Sequence, residues 1–454
     1  METPEIKGRK FSILGGARSG VAVARLLKQY GATVFLSDKA PAEKMAEAVA
    51  EMNKLGIPHE LGGHTRGVLD ADVLVLSPGV PSETPVVIEA RKRSIRVVSE
   101  VEVASWFCLA PIVAVTGTNG KTTTTTLIGR MFEDAKQTAV VAGNIGTAFS
   151  QVVETLNDKG TAVLEISSFQ LDHIEKFKPK VSVLLNVTPD HLDRYENSFD
   201  KYIASKSRIF MNQRAGDCIV YNYDDPVTRT CVEQQVNPAV TQLPFSSREA
   251  LPRGAWVEQG AVKTLQGGKP SDVVRLDEIS IRGGHNLYNA MAAILATKAM
   301  DISTASIRST LRNFKGVEHR LELVRERNGV LYINDSKATN VDSVWYALQS
   351  FPNPIVLLLG GRDKGNDYSR LVPLVKAHVK AIVAIGESAD KVVNAFQGIT
   401  PVKKAAPMEE AVRLASSMAV EQDIVLLSPA CASFDWFENY EHRGRVFKEA
   451  VNRL

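Results

Sequence analysis

Residues 113–126, VAVTGTNGKTTTTT, constrain this chain more than any other stretch. A run of small and β-branched residues ends in the turn Gly117-Thr118-Asn119-Gly120, followed by Lys121, a row of threonines and the apolar-periodic LIGRMF of 127–132. That order is strand, loop, helix. Glycines free backbone N–H groups for phosphate oxygens, the helix N-terminus adds its positive dipole end, a lysine reaches the outer phosphates and a first-turn hydroxyl can bind Mg²⁺. The stretch therefore reads as an ATP site. It departs from the common phosphate loop in one respect, because Val115 stands where the first glycine would be. A glycine-rich turn that merely happened to precede a lysine would not keep all these parts in register.

At 454 residues the chain exceeds one hydrophobic core, so two or three domains are expected. Its 44 % apolar and 23 % charged content is ordinary for a globular protein. A net charge of +3 is too small over this length to argue for nucleic acid or an anionic membrane as partner. The N-terminal residues METPEIKGRKF carry no apolar signal stretch and no later run reaches membrane-spanning length, so a cytoplasmic protein is expected, with a monomer as the default. Four scattered cysteines without a Cys-x-x-Cys pair suit reduced thiols and not a zinc site; Cys431, beside a candidate loop, reads as a small buried residue.

The chain opens with a strand at 10–14, the loop Gly15-Gly16-Ala17-Arg18-Ser19-Gly20, a helical pattern at 21–30 and a second strand at 32–36 that ends in Ser37-Asp38-Lys39. This nearly spells the dinucleotide fingerprint, with an acid about twenty residues after the loop. Where the backbone must approach a pyrophosphate most closely, however, the chain carries Ala17 and then Arg18. The pocket is nucleotide-shaped but not built for NAD. A further strand at 73–76 runs into Ser77-Pro78-Gly79-Val80-Pro81, a turn at a strand's carboxyl end, and residues 97–106 close this first domain.

In the centre, strands at 139–141, 162–164 and 181–186 lead into Gly143-Asn144-Ile145-Gly146, Glu165-Ile166-Ser167-Ser168 and Val187-Thr188-Pro189-Asp190-His191. In a parallel sheet such loops converge on one edge, so Asn144, Glu165 and His191 are expected to share a cleft with the phosphate loop. Glu165 suits Mg²⁺, which prefers hard oxygen ligands, whereas a histidine is an unusual ligand for it. The helical stretch 200–211 carries Lys206, which by spacing alone reads as a solvated charge. Short alternating runs at 240–283 predict hairpins at the domain edge, and Asn286 and Asn289 stand one turn apart on the following helix, as a pair reading an adenine edge would. Strands at 330–333, 355–359, 381–385 and 424–427, each ending in a polar loop, predict a third α/β domain. The expected architecture is α/β throughout: a Rossmann-like domain at 1–108, a P-loop ATPase-like domain at 109–316 with a parallel sheet and a small β edge, and a Rossmann-like domain at 317–454.

The segments TGTNGKTT, GNIG, LEISSFQL, NVTPDHLDRY, HNLYNA, GVEHRLE, INDSKATN, LLLGGRDKG and LSPACASFDWFENYEHRG together resemble the Mur ligase family along nearly the whole chain. Within the family they are most similar to the branch that adds D-glutamate to UDP-N-acetylmuramoyl-L-alanine in peptidoglycan synthesis. The resemblance implies that Gly117, Thr118, Asn119, Gly120, Lys121, Thr122 and Thr123 bind ATP, with Lys121 on the phosphates. It implies two Mg²⁺ ions, Thr122 on the first, Glu165 as a ligand and His191 at the second, and a carbamate formed on Lys206 by CO₂. An anionic carbamate beside Mg²⁺ makes chemical sense where an ammonium would be repelled.

By the same resemblance Asn286 and Asn289 lie on the adenine side, and His319, Arg320, Asp335 and Lys337 of the third domain close over the nucleotide. The first domain would hold the UDP part of the substrate through Arg18, Ser19, Ser37, Asp38 and Ser77, with Asn144 meeting the muramoyl part. Thr339, Lys364, Ser433 and Phe434 would hold the amino acid's two carboxylates, with Tyr440 where relatives can carry Phe. The implied catalytic set is Lys121, Glu165, His191, Lys206, His319 and Lys337, with His191 and His319 both open as the proton-transfer group. The rival readings are a related ligase with another amino acid or carboxylate, including folylpolyglutamate synthesis, and a non-catalytic nucleotide-binding homologue. The latter would be expected to have lost some of Lys121, Glu165, His191 and Lys206, and all four are present.

Overall fold

The structure is a computed structural model that describes residues 5–265, 268–281, 283–363 and 365–454. Among these residues the chain builds three sheets. The first is five-stranded and parallel, in the order His59–Leu61, Thr33–Asp38, Lys10–Leu14, Val73–Leu76, Arg96–Ser99. Its inner strand Val73–Leu76 is an unbroken apolar run, buried throughout, because helices of a doubly wound fold cover both faces.

The central sheet has nine strands. Ile112–Thr116 lies between Thr161–Glu165 and Val181–Leu184, all parallel, so the loops that follow these strands meet at one edge. The helix Lys121–Asp134 starts directly after the phosphate loop and buries Leu127, Ile128, Met131 and Phe132. At the far edge Gly254–Glu258, Ala261–Leu265 and Ser271–Arg275 form the expected antiparallel hairpins. Thr241–Ser246, from the same stretch, instead adds to the parallel part of the sheet beside Cys218–Asn222. A helix, Pro226–Gln235, intervenes between those two strands, and a crossover of that kind permits parallel pairing where a tight turn would not.

The first two sheets belong to one compact unit, residues 1–279 with 288–313. Glu102 ties them together: its buried carboxylate accepts the backbone N–H groups of Glu175, Lys176 and Phe177 at 2.9, 2.9 and 2.8 Å, and the indole N–H of Trp106 at 2.8 Å. A carboxylate can be buried at such a position because its oxygens are met by four donors.

The second unit comprises 280–287 and 314–454. Its six-stranded sheet runs Glu322–Arg327, Val330–Asn334, Ile424–Leu427, Ile355–Gly360, Val379–Ile385, Val402–Lys404, with only the first pair antiparallel. No helix of the described residues is long and apolar enough to cross a membrane.

Candidate active site

The phosphate loop is held from below. The side-chain oxygen of Asn186 accepts the N–H of Asn119 at 2.8 Å while its amide returns a bond to the Asn119 carbonyl at 3.1 Å. Thr118 donates its hydroxyl to the Thr188 carbonyl at 3.0 Å. Gly120 starts the helix with φ +86°, and a Cβ there would lie 2.3 Å from Oδ1 of Asn289, so no other residue fits. That same Oδ1 accepts the Thr124 hydroxyl at 3.2 Å, which fixes Asn289 against the loop. Thr122 and Thr123 sit buried on the first helical turn.

Lys121 curls back so that its ammonium donates to the carbonyls of Gly117 and Thr118 at 2.9 and 2.8 Å. Lys206, at the end of helix Phe199–Ser207, is only 2 % exposed and donates to the Gly117 carbonyl at 2.9 Å, with the Tyr202 ring 4.6 Å away. Burial, and next the charge of Lys121, push its pKa well below the usual lysine value.

Glu165 comes in from the neighbouring strand end. Its Oε1 accepts the Asn144 amide at 2.9 Å, and its Oε2 is buried with no hydrogen-bond partner. A buried carboxylate oxygen without a donor is costly unless something positive completes it. The oxygens of Thr122 and Glu165 therefore fit Mg²⁺, whereas Lys206 fits it only in an anionic form. His191 lies in the adjoining loop at φ +52°, half-exposed, edge-on to Phe169 at 5.2 Å. The structure thus brings Lys121, Thr122, Glu165 and Lys206 around one loop, with His191 at its rim.

A cavity of about 520 Å³ lies between the carboxyl ends of the first sheet and the 143–146 loop of the central one. Arg18, Ser19, Asp38, Ser77 and Asn144 line it, and Arg18 reaches across to the Gly146 carbonyl at 3.3 Å. Ser37 lies behind the cavity wall, fully buried, with its hydroxyl engaged by Glu60 and His64. Asp38 serves the backbone: its two oxygens accept the N–H groups of Gly16 and Ala40 at 2.6 and 2.7 Å. Ala17 lines the cavity where a dinucleotide site would need glycine.

In the second unit two strand-end loops face each other. Arg443, 1 % exposed, donates to the carbonyls of Cys431 and Ala432 at 3.0 and 3.3 Å and to Ser336 through its carbonyl and hydroxyl at 2.7 and 3.0 Å. These bonds bind the loop carrying Lys337 and Thr339 to the loop carrying Ser433 and Phe434. Ser433 is buried and Phe434 is 61 % exposed; Tyr440 stacks edge-on to His319 at 6.2 Å, and Lys337 lies 5.4 Å from its ring. Lys364 lies outside the described residues.

Asn334 orients its amide by accepting the Ser336 N–H at 3.1 Å, so its Nδ2 donates to Nδ1 of His319 at 2.9 Å. His319 thereby carries its proton on Nε2. Burial lowers its pKa despite Glu318 and Glu322 nearby. Those two carboxylates and the ring bring ligand atoms within 4.8 Å of one another. Lys448 bonds to both carboxylates, so the cluster is an ion-pair network in its own right. Asp335 is buried behind Arg320 and Ser428, and burial pushes its carboxyl up to about 7.

Several residues were not singled out by the sequence. Arg194 stacks on Phe169 at 4.2 Å and donates to the carbonyls of Pro78, Gly79 and Val80 at 3.3, 3.5 and 3.4 Å, pinning the Ser77–Pro81 turn against the loop that carries His191. Its signal was its place three residues after His191 within DHLDRY. Asn186, Arg443 and His64 were legible only as polar residues at strand ends or in a terminal helix.

The chain matches the family descriptions "Mur ligase MurD-like, N-terminal domain" over residues 9–99, "Mur ligase middle domain" over 115–297 and "Mur ligase, glutamate ligase domain" over 319–431. It is similar to a protein of Salinibacter ruber named UDP-N-acetylmuramoylalanine–D-glutamate ligase, at 48 % identity covering 100 % of both chains. Among solved structures it resembles a UDP-N-acetylmuramate-alanine ligase of Thermotoga maritima, with TM-score 0.60 and 19 % identity over 98 % of this chain and 99 % of that one. The MurF ligase of the same organism in complex with ADP gives 0.59 and 16 % over 98 % and 96 %. With 48 % identity to the first over its full length, and family models matching all three parts of the chain, the chain belongs to the Mur ligase family, in its MurD-like group.

Proposed function

We propose that this protein is an ATP- and Mg²⁺-dependent ligase that adds D-glutamate to UDP-N-acetylmuramoyl-L-alanine, releasing ADP and phosphate. The observation that carries the reading is the convergence of Lys121, Lys206 and the unpartnered Glu165 oxygen on one phosphate loop. The name and full coverage of the 48 % identical relative support the choice of amino acid and carboxylate. We further infer the three domains at 1–108, 109–316 and 317–454, a single chain as the working unit, and the cytoplasm as its location.

ATP would lie along Gly117 to Thr123, with backbone N–H groups and Lys121 on its phosphates. Leaving the Gly117 and Thr118 carbonyls for the γ-phosphate moves Lys121 onto the charge that grows there. Thr122, Glu165, His191 and a carbamylated Lys206 would hold two Mg²⁺ ions, which when bound would supply neutralisation of the phosphate charge. The carbamate forms when the neutral Lys206 amine attacks CO₂ and loses one proton. The depressed pKa of Lys206 and its distance from solvent favour that neutral amine.

The substrate carboxylate then attacks the γ-phosphate in line and ADP leaves. The amine of D-glutamate attacks the acyl phosphate, loses a proton and expels phosphate. His191 is the candidate for that proton, because His319 as bonded here carries a proton on Nε2 while its Nδ1 is engaged by the Asn334 amide. Arg18, Ser19, Ser77 and Asn144 would hold the UDP-muramoyl part, while Asn286, Asn289, Arg320 and Asp335 would serve the nucleotide. Thr339, Lys364, Ser433, Phe434 and Tyr440 would hold D-glutamate, the ordered loops around Arg443 limiting the cost of fixing two carboxylates.

The test is phosphate release from ATP with UDP-N-acetylmuramoyl-L-alanine, Mg²⁺ and one amino acid at a time, with product masses. Turnover and a one-glutamate mass gain with D-glutamate alone are expected. Turnover with another amino acid would overturn the assignment of the second unit, and silence across the panel would favour a non-catalytic homologue.

A further inference from the structure

The cavity between the first two sheets contains one side chain whose protonation is dictated by its neighbours. His64 lines it, in the loop that follows strand His59–Leu61, and its Nδ1 lies 2.7 Å from the hydroxyl of Ser37. The proton of that contact can be assigned. Glu60 accepts the Thr65 N–H at 2.9 Å, the Thr65 hydroxyl at 2.6 Å and the Ser37 hydroxyl at 2.7 Å. Burial alone would raise its pKa, but the bonds from Thr65 and Ser37 outweigh it and keep the carboxyl ionised. An ionised carboxylate only accepts, so the single proton of Ser37 goes to Glu60. The other oxygen near that hydroxyl, the Gly63 carbonyl at 3.4 Å, is also an acceptor.

The short contact to His64 must therefore be donated by the ring. A neutral imidazole with its proton on Nδ1 has a bare lone pair on Nε2. Burial holds the ring neutral, lowering its pKa against the pull of Glu60 and Asp38 and together with the repulsion of Lys39, the charged groups around it. No described residue hydrogen-bonds to Nε2. The cavity wall thus presents a fixed acceptor.

Its position says which part of a ligand meets it. The loops at the carboxyl edge follow the strand order, so from the centre outward they are Gly15 to Arg18, then Asp38, then His64. A diphosphate belongs at the first of these, a glycine turn at the N-terminus of the twelve-residue helix Arg18–Gln29. The nucleoside then extends toward the outer strands and the base reaches the outermost loop. Uracil offers a donor at N3, flanked by two carbonyl acceptors, whereas cytosine carries an acceptor at N3.

We propose that His64 selects uracil, its Nε2 accepting the N3–H of the base of a UDP-linked substrate, while Ser37 and Glu60 act as positioning residues that fix the tautomer. This rests on the reading of the cavity as the UDP site. An acceptor locked in place by two further side chains discriminates between bases because the wrong one leaves two lone pairs opposed.

The test measures binding of UDP, 3-methyl-UDP, CDP and 2′-deoxy-UDP to the full chain by calorimetry, for the native protein and for His64→Ala and His64→Gln. The native protein is expected to prefer UDP over 3-methyl-UDP and CDP by about tenfold or more. His64→Ala should erase that preference, and His64→Gln, which keeps an acceptor, should retain part of it. With the full substrate, His64→Ala should raise KM while kcat stays near native. An equal loss for all four ligands would reveal a structural role only, and a preference that survives in His64→Ala, or a loss that tracks the 2′-hydroxyl, would also overturn the proposal. Native protein that binds no UDP would overturn the cavity reading itself, whereas native UDP binding with an unaltered His64→Ala overturns only the role of His64.

Discussion

Lys121 Nζ and Lys206 Nζ donate to the same acceptor, the carbonyl oxygen of Gly117, each at 2.9 Å. Two ammonium groups converging on one oxygen repel each other, and Lys206 is the buried one, so its amine is the easier of the two to neutralise. Carbamylation would turn that repulsion into attraction. Lys206→Ala is expected to lower kcat on the order of 100-fold, with partial rescue by formate or acetate. Native protein in ¹³C-bicarbonate should show a carbamate carbon by NMR that the variant lacks. Near-native turnover of the variant without added acid would exclude a role at the metal.

Arg194 joins the loop that carries His191 to the cavity of the first sheet, stacked on Phe169 and bonded to three carbonyls of the Ser77–Pro81 turn. Arg194→Ala should loosen that turn and raise KM for the UDP-linked substrate by about five- to tenfold, with a smaller change in KM for ATP. Steady-state kinetics with each substrate varied in turn decide it. A larger effect on ATP would mean that the residue acts through His191 instead.

Arg443 crosslinks the two loops assigned to D-glutamate. Replacing it with Ala removes this donor from the Cys431 carbonyl and both Ser336 groups, while the Ala432 carbonyl keeps the Arg362 N–H, at a cost of about 2–4 kcal/mol. A lower unfolding temperature is expected by calorimetry. Arg443→Lys, which keeps the charge but not the fork, should fall between and raise KM for D-glutamate more than KM for ATP.

The buried Asp335 carboxyl sits at about 7 through burial, above its value of roughly 3.9 in an unfolded chain. Between those values the native state keeps a proton that the unfolded chain has released, so stability falls as pH rises from about 4 through 7. Asp335→Asn should flatten the dependence, removing a change of up to ~4 kcal/mol across that window. Urea unfolding at several pH values measures it, and equal slopes for both proteins would show that other groups govern the dependence.

The sequence by itself determined the α/β class, the strand-loop-helix order at the phosphate loop and the convergence of Asn144 and Glu165. Each follows from local rules: apolar runs make parallel strands, glycines free the turns, and polar residues collect where strands end. The broken fingerprint at Ala17 and Arg18 was equally legible, because a Cβ in place of glycine is a local fact.

Tertiary structure alone decided the rest. Lys206 has the spacing of a solvated helix charge yet is buried, since periodicity reports the apolar face of a helix and not which polar side chain a neighbouring loop encloses. Ser37 had the position of a ligand contact but lies behind His64 as its tether. Thr241–Ser246 joined the parallel strands because pairing partners are set by the whole sheet. These outcomes depend on residues tens to hundreds of positions apart meeting with defined donors and acceptors, and a linear pattern carries no record of which lone pair faces which proton.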